Sequence, residues 1–408
     1  MNDERRAAHA PEIRALFLTA MAVFVVTAVI GILNGLDLVD FDRPTLLTHV
    51  HSGTLGWITL SVFAATFWLF GGEARGGPPV RALAWVGAVS APVFALAFYL
   101  DNHTLGAVAG STVGVVIVGV LWWAWAASRQ GPLTVPRLSM LAGLATLFVG
   151  AIVGVLIEVG DATNREILGA GDTAAHVAAM AFSYLVLVAM GLIEWRLAPS
   201  VGLSRAGVVQ VALLFFGGLL LSLGSLAGMD LTAIGGVYVL CELVAVCIFV
   251  ARLWRPVRAI AWRGPGPEPH IGLAAVFVVI DVGILIYLLV AIITGIYGEP
   301  GNEDLSALPI WLTFALDHAI FIGVMTNLIF GLVRLLADPA DHRWPWADRI
   351  ILWGTNVGLV GFVAGLALES AGIKRIFSPI MGAAILLGLV VLGMRLWATR
   401  SRPQTAPA

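Results

Sequence analysis

Apolar runs of about 18 residues or more follow one another along this whole chain, separated by short polar or Gly/Pro-rich breaks. A run of that length spans a bilayer as a helix. Within lipid every backbone N–H and C=O must be satisfied inside the protein, which excludes open sheets. The expected fold is therefore an all-α integral membrane bundle. Composition agrees: 59% of the 408 residues are hydrophobic, 12% are charged and the mean hydropathy is +0.95. The net charge of −2 gives no hint of a nucleic-acid partner. Cys241 and Cys247 share one apolar run without metal-site spacing and read as small core residues. The first apolar run follows "MNDERRAAHAPEIR" and is too long for the core of a cleavable signal.

Twelve spans are expected: 14–36, 45–71, 80–99, 104–128, 136–158, 173–197, 205–227, 230–254, 270–296, 308–337, 347–370 and 376–398. The breaks include "GGEARGGPPVR", "SRQGPLTVPR", "RGPGPEP", "YGEPGNEDLS" and "ADPADHRWPW". With the two termini and the even-numbered loops on one side, only Arg43, Arg165, Lys374 and Arg375 of the 23 Lys and Arg fall on the other. The positive-inside rule then places both termini in the cytoplasm of a cell-membrane protein. A missed span would scramble that parity.

The eight histidines divide into two groups. His9, His270 and His342 read as solvated or interfacial on the cytoplasmic side, and His103 as an interfacial cap at the outer end of span four. His49 and His51 lie in span two, His176 in span six and His318 in span ten, at intervals of four helices, each in the outer half of its span. With His51, His176 and His318 in register, Gly56, Ala181 and Gly323 come five residues later. Thr59, Tyr184 and Thr326 come eight later, and Ala64, Ala189 and Gly331 thirteen later. Small residues at this spacing admit a neighbouring helix or a flat ligand. Three repeats of four helices follow, as arcs over 14–128, 136–254 and 270–398.

Imidazole at membrane depth is disfavoured unless hydrogen-bonded or ligated. It is a common metal ligand and a common axial ligand of haem iron. Two imidazoles from opposite helices hold a haem when their nitrogens stand about 4 Å apart, twice the usual metal–nitrogen distance. Three histidines in matching positions point to ligation rather than to isolated bonds with backbone carbonyls. His49 is about 200° around the helix from His51, so one of the two faces away from any shared ligand.

Twelve spans with histidines in spans two, six and ten resemble subunit I of the haem–copper oxidases. "HVHSGTLGWITLSVF" looks like helix two of the shorter members and of the nitric-oxide-reductase branch. The resemblance implies that His51 and His318 are axial ligands of a low-spin, bis-histidine haem b. It makes His176 the remnant of a second metal site, where copper could bind, with His49 a further candidate ligand. Gly56 and Gly323 would flank the haem, and Arg165 or Arg43 would offset its propionates. It also implies an electron donor, a cytochrome or quinol, and a small gas such as nitric oxide or oxygen. "DHAIFIGVMTNLIFGLV" is similar to the last histidine helix of the NnrS family, whose surrounding signature is not clearly present. Span seven lacks the oxidases' histidine pair, and Leu316 stands where the ligand of the active haem would be. A complete binuclear centre is therefore not expected, and catalysis is left open.

Glu242, one turn from Tyr238, and Asp281 are carboxyls in apolar surroundings, read either as helix–helix hydrogen bonds or as a proton route. Asp317 points about 100° away from His318. The competing reading is a twelve-helix secondary transporter. Against it, the link between spans six and seven is short and the special residues repeat every four helices.

Overall fold

The computed structural model describes residues 9–71, 78–199, 202–264, 266–297, 309–337 and 344–399. Its described residues form helices and no strands. Twelve helices are long and apolar enough to cross a membrane. They are α1 (Ala10–Gly35), α2 (Arg43–Gly71), α3 (Pro79–Tyr99), α4 (His103–Ser128), α5 (Val135–Thr163), α6 (Asp172–Leu197), α7 (Arg205–Leu226), α8 (Leu231–Arg258), α9 (Glu268–Thr294), α10 (Ile310–Leu336), α11 (Pro345–Ala367) and α12 (Ala371–Ala398). Large apolar side chains such as Val115, Trp122, Phe216 and Leu240 stand exposed on the bundle's outside, as a lipid-facing surface requires.

Local signals set the helix ends. Asp42 accepts a bond from the Thr45 amide at 3.0 Å, with Pro44 in the first turn of α2. Asn102 does the same for Leu105 at 2.9 Å, and Asp230 for Thr232 and Ala233. Two ends differ from expectation. α5 runs to Thr163 rather than stopping at 158, and α12 starts at Ala371 rather than 376. Polar residues extend each helix past its apolar run: Asn164 closes α5 in the left-handed conformation, and Ser370 caps the Ile373 amide.

Helices α2, α6 and α10 are the most enclosed. In their most apolar stretches 89, 72 and 72% of residues are buried, against 33 to 50% in the other nine. Each of the three changes to π-helical winding just after its histidine, over Ser52–Thr59, Ala178–Leu185 and Ala319–Thr326. Such segments leave some carbonyls without the usual partner and are frequent at functional sites. Hydroxyls take up two of these carbonyls: Thr59 donates to Thr54 O at 3.0 Å and Thr326 to Phe321 O at 2.9 Å. The same hydroxyls join the helices. Tyr184 Oη donates to Thr59 Oγ1 at 3.4 Å and Trp57 Nε1 to Thr326 Oγ1 at 3.1 Å.

Several sequence expectations need correction. His9 is buried against Phe67 and Trp123 rather than solvated, and desolvation holds its pKa below the ordinary value. His270 is buried and bonded to Asn327 at 3.3 Å, and Asn327 in turn donates to Asn356 at 2.7 Å. Asn102, not His103, caps α4, and His103 turns inward to Glu158 at 3.3 Å. Cys247 is exposed on the bundle surface, whereas Cys241 packs on Gly217. His342 and Arg5, Arg6, Arg75, Arg343, Arg400 and Arg402, expected on the cytoplasmic side, lie outside the described residues.

Candidate cofactor site

Four imidazoles share one hydrogen-bonding arrangement. His49 Nδ1 donates to Thr27 O on α1 (3.0 Å), and His176 Nδ1 to Gly150 O on α5 (2.8 Å). His51 Nδ1 donates to Leu47 O (2.8 Å) and His318 Nδ1 to Phe314 O (2.7 Å), each within its own helix. A nitrogen facing a carbonyl must carry the proton. Nε2 is thereby left as a bare lone pair, the ligating form of imidazole. Among the described residues no group bonds any of the four Nε2 atoms. All four rings are half-buried, and His51 and His176 line one cavity.

His49 and His51 point to opposite sides of α2. Electrostatic interaction links His49 with His318 and His51 with His176. His49 is tied to α1 at Thr27, and His318 packs on Phe362 of α11 with ring centres 4.8 Å apart. His51 looks toward α3, stacked on Phe98 at 3.9 Å with 17° between planes.

Glycines make room for two of the rings. A Cβ on Gly31 would stand 3.1 Å from His49 Cε1, and one on Gly154 would stand 2.8 Å from His176 Cε1. Thr27–Gly31 reads "TAVIG" and Gly150–Gly154 reads "GAIVG". This match between α1 and α5 was the signal in the sequence for these supports. Gly56 and Gly323 stand where helices approach closely: their Cβ positions would strike Val23 of α1 at 2.3 Å and Phe277 of α9 at 2.4 Å.

A cavity of 970 Å³ opens on the His51–His176 side. Its lining includes Arg43, Phe98, Arg165, Asp317 and Tyr184. At its rim, ligand atoms of His103, Glu158 and Asp161 lie within 4.8 Å of one another, the one such group among the described residues. His176 does not belong to it, so no three-ligand copper set surrounds His176 among those residues.

Glu242 and Asp281 are buried within electrostatic reach of each other, and Asp281 is likewise within reach of Asp317. Glu242 Oε2 and Asp281 Oδ1 find no hydrogen-bond partner among the described residues. Tyr238 donates to the Phe182 carbonyl in the α6 π segment and also interacts with Glu242. Sequence reasoning missed two buried ionic groups. Arg252 of α8 reaches Glu194 of α6 and, at 3.0 Å, Gln210 of α7. Asp348 of α11 takes Arg334 of α10 and, at 2.6 Å, Arg395 of α12. The basic members had been read only as cytoplasmic cations.

No family model matches the chain, and no curated protein matches it.

Proposed function

We propose that this chain is a haem b-binding cell-membrane protein with the architecture of haem–copper oxidase subunit I. Its helices form three four-helix arcs around α2, α6 and α10, with both termini cytoplasmic. Its role is electron transfer, or a response to nitric oxide or oxygen, without a complete binuclear centre. The observation that carries this reading is the common preparation of His49 and His318. These are two neutral imidazoles on facing central helices, each with Nδ1 tied to a carbonyl and Nε2 bare. That donor set fits a bis-histidine haem.

The chain's own residues prepare the site. The Thr27 and Phe314 carbonyls hold each tautomer and ring orientation before any ligand arrives. Ser52 and Thr27, bonded at 2.6 Å, keep α1 and α2 in register at His49. Phe362 bounds the His318 ring and helps exclude water. Held between two imidazoles, iron porphyrin would supply one-electron exchange.

The absence of an active-haem ligand has a structural counterpart. Leu316 is buried with Leu288 and Leu312 in an apolar cluster flanked by Phe182 and Trp311. The transporter alternative is less well supported, because enclosure peaks at three helices spaced four apart rather than between two halves.

The test is the visible spectrum of the full-length protein purified from haem-replete membranes. A reduced-minus-oxidised b-type signal is expected, weakened by His49→Ala and by His318→Ala. A purified chain without haem absorbance would end the proposal.

A further inference from the structure

The 970 Å³ cavity is acidic. Asp101, Glu158, Asp161, Glu166, Asp172 and Asp317 line it, against the two cations Arg43 and Arg165. Among the described residues none of these six carboxylates pairs with an arginine or lysine. A cleft with low-dielectric walls and an excess of one sign of charge concentrates ions of the other sign. The ligand class is therefore cationic, and the side chains at the rim narrow it further.

His103 opens α4, while Glu158 and Asp161 stand three residues apart on one face of α5. His103 Nδ1 lies 3.3 Å from Glu158 Oε2 and 3.8 Å from Asp161 Oδ2. Two ligand atoms that share a metal ion, each bonded at about 2.0–2.2 Å, stand roughly 3.0–3.6 Å apart. The three side chains are thus close to the spacing of one coordination shell. Behind the ring, Asp101 Oδ1 stands 3.9 Å from Nε2. That is the place of the carboxylate that orients a ligating imidazole. Gly106, one turn after His103, leaves the carboxylate its room: a Cβ there would stand 2.4 Å from Glu158 Oε2.

Glu158 gives an independent sign. It is only 7% exposed, and its one hydrogen-bond partner among the described residues is the His103 ring, which leaves Oε1 without any. A buried carboxylate needs a compensating charge. A protonated His103 would bring one positive charge to three carboxylates. A divalent ion brings two and also uses the imidazole lone pair. One nitrogen and two oxygens, with no thiolate, suit ions such as Zn²⁺ or Mn²⁺ better than Ca²⁺ and Mg²⁺, which prefer all-oxygen shells. The His103 and Asp161 side chains are 40 and 55% exposed, so water can complete the shell.

We propose that the mouth of this cavity is a binding site for a divalent first-row transition-metal ion, held by His103 Nδ1, Glu158 and Asp161. Asp101 orients the imidazole from behind. The site joins the outer-side ends of α4 and α5 and stands apart from the haem reading, which rests on His49 and His318.

The test is calorimetric titration of Zn²⁺ into the chelator-treated full-length protein in detergent, with excess Mg²⁺ present. One saturable Zn²⁺ per chain is expected. His103→Ala and Asp161→Asn should each weaken it by about tenfold or more, and Asp101→Asn, at an exposed position, by about tenfold. His51→Ala should leave it unchanged, which separates this site from the other imidazoles of the cavity. Pulsed paramagnetic resonance with Mn²⁺ in place of Zn²⁺ should show coupling to one imidazole nitrogen, absent in His103→Ala. Melting curves without metal check that each variant is folded. No saturable binding, or binding that survives both His103→Ala and Asp161→Asn, overturns the inference. The haem spectrum should be the same in those two variants as in wild type. A chain that binds Zn²⁺ here without haem absorbance would end the proposed function and leave this inference standing.

Discussion

Gly154 of α5 lies directly against the imidazole of His176: a Cβ there would stand 2.8 Å from Cε1 and 3.0 Å from Nδ1. The ring's bond to Gly150 O leaves it no freedom to yield. Gly154→Ala should therefore rotate the ring and break that bond. The overpacking cost is about 1–3 kcal/mol, roughly fivefold to over a hundredfold in occupancy of the correct rotamer. The expected result is a lower thermal midpoint of the purified protein in detergent, with the His318-dependent haem signal unchanged. Gly31→Ala beside His49, at 3.1 Å, should shift that haem signal rather than remove it. Thermal melts and paramagnetic resonance of the two variants check both expectations.

Asp348 holds two arginines from different helices, and Arg395 is itself buried. Asp348→Ala leaves two positive charges without that partner, a loss of about 3–5 kcal/mol. The thermal midpoint in detergent should fall by several degrees or more, with haem-site spectra intact below the transition. A variant as stable as wild type would mean that the cluster is compensated by solvent.

Asp37 lies in the loop between α1 and α2. The hydrogen bond from Lys374, at 2.5 Å, and the neighbouring Arg375 hold its carboxyl below the ordinary aspartate pKa. A carboxylate lowered in the folded state stabilises above its unfolded pKa, and that contribution is lost as pH falls through the folded value. Asp37→Asn should thus lower the melting temperature at neutral pH. The wild-type and variant curves should converge as pH falls through the folded value. Curves that stay parallel throughout the acid range would contradict the assignment.

Orientation is open to cysteine labelling. With Cys241 and Cys247 replaced by serine, a cysteine at Glu166, in the α5–α6 loop, should react with an impermeant maleimide on intact cells. One at Arg129, after α4, should react only after permeabilisation. The reverse pattern would place the termini outside.

All twelve spans were readable from apolar run length, because a helix in lipid satisfies its own backbone and needs no knowledge of its neighbours. The repeat of special residues in α2, α6 and α10 was readable too, and three π segments follow their histidines. His9 and His270 were misread because their position in sequence marks a membrane edge, while their burial depends on Phe67, Trp123 and Asn327 from other helices.

The sequence by itself determined the twelve apolar helices, the three central ones and the histidines they carry, since these follow from hydropathy and helical period alone. Which neighbours each imidazole meets was decided only by the tertiary structure. The direction of each side chain depends on the rotation of α2 about its axis, and that rotation is set by Thr27, Gly31 and Phe98 on neighbouring helices. Two residues along one helix are enough to send His49 and His51 to opposite sides of α2.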